Sequence, residues 1–535
     1  MPRSRADRSI RSIVVLGGDT EGWMTAAYLG KALQGTVDIT VLDDAATAPT
    51  RLGVATVPSL QHTFFDFLGV NEEQWMRECD ASFQMAVRFV NWRTEGPGSP
   101  QARTLPSHAP DHFYHPFGLL PDYDQTPLSH YWYKRAYDGD TTEPFDYACF
   151  REPPLMDAKK SPRWLDGRTA TRYAWHLDTG LLTAFLRRFA TTCLGVTRIT
   201  GELDQVIRRD DGFVSALRTA SGTVLEADLF VDCSGSRGRL LNEAMGEPFR
   251  TVGDQLLCDS VVIADVPHDD DVHGVEPYTS AIAMEAGWTW KIPLPGRFGT
   301  GYVHSSRHTT RERAAAELLA LWDLDPAATA LTHIPLRVGR GERAWVRNVV
   351  GVGASACLLE PLEPTGLHFI TTALRQLTRH FPDRSYAPAL IDRFNAEFRS
   401  MFDEARDFLQ AHFHHAPRED TPFWRAAKRL SLPHGVQDKV DAYRAGLPFD
   451  GPYTDESAYY APDAPVRSPW TNGSYYCILA GLGVLPDVPL PALAHRPASV
   501  IGAESLFASV KRQQRTLLDT LPSTHAYLRL LHAPR

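Results

Sequence analysis

Residues 13–28, IVVLGGDTEGWMTAAY, decide the fold. The run at residues 13–16 is short, apolar and β-branched, as a strand covered on both faces must be. Gly17 and Gly18 then break it as a tight turn, and residues 22–33 carry apolar side chains at helical spacing. A second apolar run, residues 37–42, ends in Asp43 and Asp44. This strand, turn, helix and strand form a βαβ opening. In such a unit the helix N-terminus holds a dinucleotide pyrophosphate, and an acid about twenty residues on holds a ribose hydroxyl. Gly17, Gly22 and Asp43 are the residues this reading sets against a cofactor.

Two side chains interrupt the pattern. Asp19 and Glu21 stand where glycine or another small residue would let the backbone approach phosphate. Two like charges ~6 Å apart at an effective dielectric of ~20 repel by about 3 kcal/mol. Without a phosphate nearby, both acids are ordinary residues for a helix N-terminus.

Working outward, residues 93–165 are rich in Pro, Tyr, His and Gly and read mostly as loops. Residues 175–190 read as helix, and residues 206–227 as a hairpin turning at Asp210, Asp211 and Gly212. Residues 227–238, ADLFVDCSGSRG, are a further buried strand with a glycine turn, and residues 261–303 read as more strands. A last strand at residues 348–353 precedes a helix at 367–381. Residues 394–445 read as helical, 446–469 as a proline-bearing loop, and the chain is helical again from Tyr475. The expected division is residues 1–385, a flavin-type module with an interleaved substrate sheet, and 386–535, mostly helical.

At 535 residues the chain is too long for one simple core. Its 43% hydrophobic and 22% charged residues describe a globular protein, and a net charge of −9 argues against a nucleic-acid partner. Seven scattered cysteines without C-x-x-C spacing read as reduced thiols, which points to the cytoplasm. Residues 1–12, MPRSRADRSIRS, read as a basic arm rather than a leader, and no apolar run is long enough to span a membrane. His412, His414 and His415 lack a carboxylate at ligand spacing, so they read as a partly exposed helix end and no metal is expected. His176 reads as a packed histidine and Cys233 as strand filler.

Three glycine turns, at residues 17–22, 231–238 and 350–366, lie at strand ends of the kind that converge on a flavin. With GWTWKIP at residues 287–293 the pattern becomes specific. Together with FFDFLGV, RFVNWR, DHFYHPFG, AWHLD, AWVRN, EPLEPTG and NGSYYCILAGLG, it resembles the flavin-dependent tryptophan halogenases over nearly the whole length. The resemblance implies an α/β fold of the FAD-dependent halogenase and monooxygenase kind, with a Rossmann-type βαβ flavin module, a mixed substrate sheet and a helical C-terminal region. It implies FAD as cofactor, a flavin reductase as the partner that supplies it reduced, and a small aromatic substrate; a homodimer is compatible with it. In that family, reduced FAD and oxygen convert halide to hypohalous acid, which reaches the substrate through a tunnel and is delivered there by a lysine and a glutamate.

Carried over position by position, Trp288 and Trp290 match the tunnel tryptophans and Glu363 the catalytic glutamate. Thr365 and Gly366 match the halide-binding N–H groups, with Pro364 in place of a serine. His115, Phe117 and Trp470 match residues of the aromatic pocket. The departures are as specific. Gln84 occupies the essential lysine position, with Arg88 four residues on as the nearest cation in sequence. The flavin loop at residues 53–58, GVATVP, lacks a Gly-Glu pair, although Val54 and Ala55 still match flavin-contacting positions, as does Gly353. Ser474 replaces an asparagine, and residues 464–470, APVRSPW, lack the glutamate that holds a free amino acid's ammonium. These changes predict a family member that binds or acts on an indole-like compound with the FAD and hypohalous acid route impaired. The alternative is an active halogenase of an indole, phenol or pyrrole other than free tryptophan.

Overall fold

The strand Ser12–Leu16 lies inside a six-stranded sheet, where its uninterrupted apolar sequence belongs. The order is Thr197–Thr200, Asp38–Asp43, Ser12–Leu16, Leu229–Asp232, Val349–Gly351 and Trp345–Val346. All neighbours are parallel except the last pair. This is a computed structural model, which describes residues 7–43, 52–93, 111–448, 470 and 472–533.

Two compact units divide the chain, each built from three sequence segments. The first comprises Met1–Ala81, Leu177–Gly253 and Leu336–Asp403 and contains the six-stranded sheet. One part of its core joins Val14, Leu16, Leu42, Phe230, Leu240, Leu241 and Val349. The helix Thr20–Ala32 buries Trp23, Met24, Ala26, Ala27 and Leu29 completely. Burying a large apolar side chain contributes about 1.5–3 kcal/mol, so this helix is held by packing rather than by propensity.

The second unit comprises Ser82–His176, Asp254–Pro335 and Glu404–Arg535. Its centre is a seven-stranded sheet in the order Thr332–Pro335, Ser260–Pro267, Arg297–His304, Gly287–Leu294, Thr279–Met284, Ala86–Val90 and His112–Pro116. Only the pairing of Ala86–Val90 with Thr279–Met284 is parallel.

Several sequence expectations need correcting. Residues 93–165 are not mostly loop where described: a strand, His112–Pro116, and three helices, Leu128–Asp138, Phe145–Cys149 and Pro153–Asp157, lie there. Aromatic side chains such as Tyr131, Trp132, Tyr133 and Phe145 are buried, so the polar-looking composition hid a packed layer. The helix expected at 175–190 begins only at Thr179, because Ala174–Asp178 is a strand whose last residue caps the helix by accepting from Leu181 N–H at 2.9 Å. The hairpin is borne out, with Leu203–Arg208 and Val214–Thr219 antiparallel, and so is the helical C-terminal part. Residues 449–469 lie outside the described residues. No described helix is long and apolar enough to cross a membrane.

Candidate active site

In the first unit the carboxyl ends of three parallel strands meet the glycine turns. A Cβ on Gly17 would strike the carbonyl oxygen of Cys233, and one on Gly22 would strike that of Gly17, so strand end, turn and helix start touch through backbone. Gly17 N–H donates to Leu42 O at 3.0 Å and Cys233 N–H to Leu16 O at 2.8 Å. Only glycine permits this closeness, and Gly17 also needs it for its φ of 130°.

The acids of this turn are built into it. Asp19 caps the helix Thr20–Ala32 by accepting from Gly22 N–H at 3.4 Å. Its side chain is exposed to solvent, yet the protein packed around it pushes its carboxyl upward, and the charge of Asp43 adds to this. Glu21 reaches the third glycine turn, Gly353–Ser355, where its Oε1 accepts from Ala354 N–H at 3.0 Å. Its Oε2 is sealed from water and has no partner. Burial drives the Glu21 carboxyl well above its ordinary range, and the charges of Asp19 and Asp232 push the same way. Asp43 is buried against Gly18 and bound by Arg198 Nε at 2.6 Å. Asp232, also buried, accepts from the N–H and hydroxyl of Ser234 and the N–H groups of Leu240 and Leu241 at 2.6–3.0 Å. Leu52 and Thr179 exchange hydrogen bonds of 3.0 and 3.1 Å beside the short strand Gly53–Ala55, in which Val54 and Ala55 are half-buried.

Further along this unit, Glu363 is buried to 1% exposure. Its carbonyl takes the Thr365 N–H at 2.7 Å, which commits one of the two donors expected for a halide. Pro364 has no N–H to offer. Gly366 opens the helix Gly366–Arg379, so the first-turn N–H groups from Gly366 onward are the anion donors left by this geometry.

The second unit holds the tryptophan pair. In the strand Gly287–Leu294, Trp288 pairs with Ala283 and Val303, and Trp290 with Ala281 and Gly301. Both point to one face, their ring centroids 6.0 Å apart. Gly301 is required there, because any Cβ would run into the Trp290 indole. Register puts His115 on the same face through Val87, Thr279 and its neighbours. His115 packs edge-on to Phe408 at 5.9 Å and to Phe117 at 6.4 Å. Phe408 stacks on Trp470 at 4.7 Å and meets Tyr475 edge-on at 4.9 Å. His115, Phe117, Phe408, Trp470 and Tyr475 thus form one aromatic wall, with Ser474 buried in the adjoining helix Asn472–Gly481.

Sequence reasoning missed Phe408, the ring that joins this wall; its only signal was the helical i, i+4 spacing to His412. His412 is fully buried, not at an exposed helix end, and its Nδ1 bonds Phe408 O at 2.7 Å, while His414 bonds Leu430 O at 3.2 Å. Among the described residues no three His, Cys, Asp or Glu side chains gather as a metal would need. Gln84 is fully buried in the strand Ser82–Gln84, paired with Ala174. Arg88 pairs with Tyr114 and Ser280, so it lies on the opposite face from His115 and the tryptophans. There it donates to Tyr278 and bonds His112, both at 3.1 Å, on the face away from the aromatic wall. His176 is packed as expected, between Ser82 and Thr279, and burial lowers it to about 3. Residues 464–469, on which the missing ammonium partner was read, lie outside the described residues.

The arrangement has close relatives. A family model described as tryptophan halogenase matches residues 12–498. The chain belongs to the tryptophan halogenase family. It is 56% identical to the tryptophan 6-halogenase ThaL of Streptomyces albogriseolus and 54% identical to the tryptophan 7-halogenase RebH of Lentzea aerocolonigenes, covering 98% of this chain and 99% of each relative. The crystal structure of the tryptophan 6-halogenase SttH from Streptomyces toxytricini superposes with a TM-score of 0.86 at 37% identity, over 97% of this chain and 99% of that one. The fold is therefore that of the FAD-dependent halogenases, and the chain is a member of an enzyme family that uses flavin.

The halogenase fold implies FAD, and the cradle tests whether the residues present suit it. Asp19 already takes the Gly22 N–H, and Glu21 fills the space over Gly353 while taking the Ala354 N–H. In this arrangement the turn does not fit the phosphate end of a dinucleotide: two of its backbone donors are in use, and the side chains on them are carboxylates.

Proposed function

We propose that this halogenase-family protein binds or acts on a small indole-like aromatic compound, and that the FAD and hypohalous acid route is impaired in it. The aromatic wall around Phe408 carries the first part: flat apolar rings at edge-on and stacked distances suit a flat aromatic guest. The relatives named 6- and 7-halogenases of tryptophan support an indole. Gln84 supports the second part, because a neutral amide cannot form a haloamine as an amine does and donates a proton poorly. Glu363, buried beside its turn, remains as an acid or base.

The test is thermal denaturation of the purified chain with indole, tryptamine and L-tryptophan, followed by a halogenation assay with a flavin reductase, FAD and halide. Indole is expected to raise the melting temperature, L-tryptophan to raise it less, and Phe408→Ala to abolish both shifts. No halogenated product is expected. A chain indifferent to every ring compound, or one that prefers L-tryptophan, defeats the proposal.

A second reading is favoured by the preserved Trp288 and Trp290: an active halogenase, served by a reductase, whose substrate is an indole, phenol or pyrrole other than free tryptophan. Chlorinated or brominated product from the unmodified chain would establish it, and Gln84→Lys should then raise the yield.

A further inference from the structure

The cradle at the end of Ser12–Leu16 is closed by the chain's own side chains. Glu21 lies at the start of the first helix, and its carboxylate contacts a turn 333 residues away. Gly353 has a φ of 75°, and a Cβ there would meet all the carboxylate atoms of Glu21, so this glycine's open face is where the carboxylate rests. Backbone N–H groups exposed at such a turn bind anions. Asp19 does the same at the helix end, on Gly22 N–H. Two anion positions of one cradle are therefore filled by carboxylates of the chain.

We infer that Glu21, with Asp19, is a built-in occupant of the phosphate position, which holds the glycine turns together without a dinucleotide. This rests on the reading that the flavin route is impaired, and goes further by naming what stands in the cofactor's place. The charged groups acting on the pair are acids: Asp19 on the same helix and Asp232 from the Leu229–Asp232 strand on Glu21, and Asp43 from the second strand on Asp19; the buried thiols of Cys233 and Cys357 also face Glu21. Arg198, the cation beside them, is engaged by Asp43. An incoming pyrophosphate would meet these charges, with the Gly22 and Ala354 N–H groups already taken. Glu21 Oε2 is sealed and without a partner, a position that suits the proton of a neutral carboxyl. Such a carboxyl fills space and accepts one hydrogen bond at Oε1 without the full cost of a buried charge.

The experiment is a titration of the purified full-length chain with FAD, read by flavin fluorescence, together with thermal denaturation with and without FAD. It compares the unmodified chain with E21Q and with the double variant D19G/E21A. The double variant should bind FAD about a hundredfold more tightly than the unmodified chain. It should melt lower than the unmodified chain without FAD and recover when FAD is added. E21Q keeps the shape of the occupant and should still exclude FAD. Its melting temperature should also lose the fall that the unmodified chain shows as pH rises above the ordinary glutamate range, where a carboxyl raised in the folded state is ionised more readily after unfolding.

Stoichiometric FAD on the unmodified chain, or a folded double variant with no gain, overturns the inference. Where the double variant does not fold, E21Q decides: tight FAD binding, or a pH profile identical to that of the unmodified chain, overturns it as well. The two readings separate cleanly. An unmodified chain that takes FAD yet forms no halogenated product breaks this inference and leaves the proposed function; one that takes neither FAD nor indole breaks the proposed function and leaves this inference.

Discussion

The turn at residues 17–22 and the strand Gly287–Leu294 are both short motifs bearing the family's imprint, and they have fared differently. The strand keeps its two tryptophans, and opposite Trp290 it keeps the glycine that makes room for the indole. The turn keeps its outer glycines but holds two acids between them, one tied to its own helix and the other to a distant turn. The difference lies in what each motif packs against. The tryptophans are shaped by neighbouring strands, so changing them disrupts a core. The turn is shaped for a guest, so side chains can take the guest's place without disturbing the sheet behind it.

Three measurements press on this contrast. The largest effect is expected on the tryptophan side. Trp288 is completely buried, and Trp288→Ala should cost about 3–5 kcal/mol in urea unfolding; a cost below about 1 kcal/mol would mean the strand is not the core element described here.

Next comes acid. His176 in the second unit is lowered to about 3 by burial, so the folded chain resists its protonation while the unfolded chain accepts a proton near the ordinary value of about 6.5. Stability contributed by the neutral ring is present above about pH 6.5 and is lost as pH falls toward 3, the reverse of the trend assigned to Glu21. His176→Gln should flatten the loss in melting temperature between about pH 6.5 and about pH 4, and an unchanged acid limb would show that other groups control it.

The smallest effect is expected at the rim of the cradle. The Arg198–Asp43 pair is bonded at 2.6 Å, but the arginine side chain is 36% exposed, so Arg198→Ala should change stability by about 1 kcal/mol or less. A loss several times larger would make this pair, rather than the backbone contacts of Gly17 and Gly22, the principal brace of the turn.

The βαβ opening was legible because its signals are local: an apolar run, glycines at fixed offsets, and an acid at the second strand's end. Trp288 and Trp290 were legible for the same reason, since alternation along a strand fixes a shared face. What could not be read were relations across the chain. The bond between Glu21 and Ala354 joins residues that no periodicity connects. Phe408 looked like any helical phenylalanine until the fold set it between His115 and Trp470. Arg88 looked close to Gln84 along the chain, yet the two stand in different sheets, and the register of Ala86–Val90 turns Arg88 away from the His115 face, into hydrogen bonds with Tyr278 and His112. The segment around residues 112–157 misled by composition, because its prolines and histidines punctuate short helices most of whose aromatic residues are buried.

The side chains that close the cradle also set its genetic distance from an open one. Aspartate and glycine codons differ by a single base, as do those of glutamate and alanine. Each carboxylate at positions 19 and 21 can therefore be removed by one nucleotide change, without touching the buried sheet. Random mutagenesis of this gene followed by sorting for flavin fluorescence would sample both changes together, and the positions at which fluorescent clones accumulate would map the entrance independently of any designed variant.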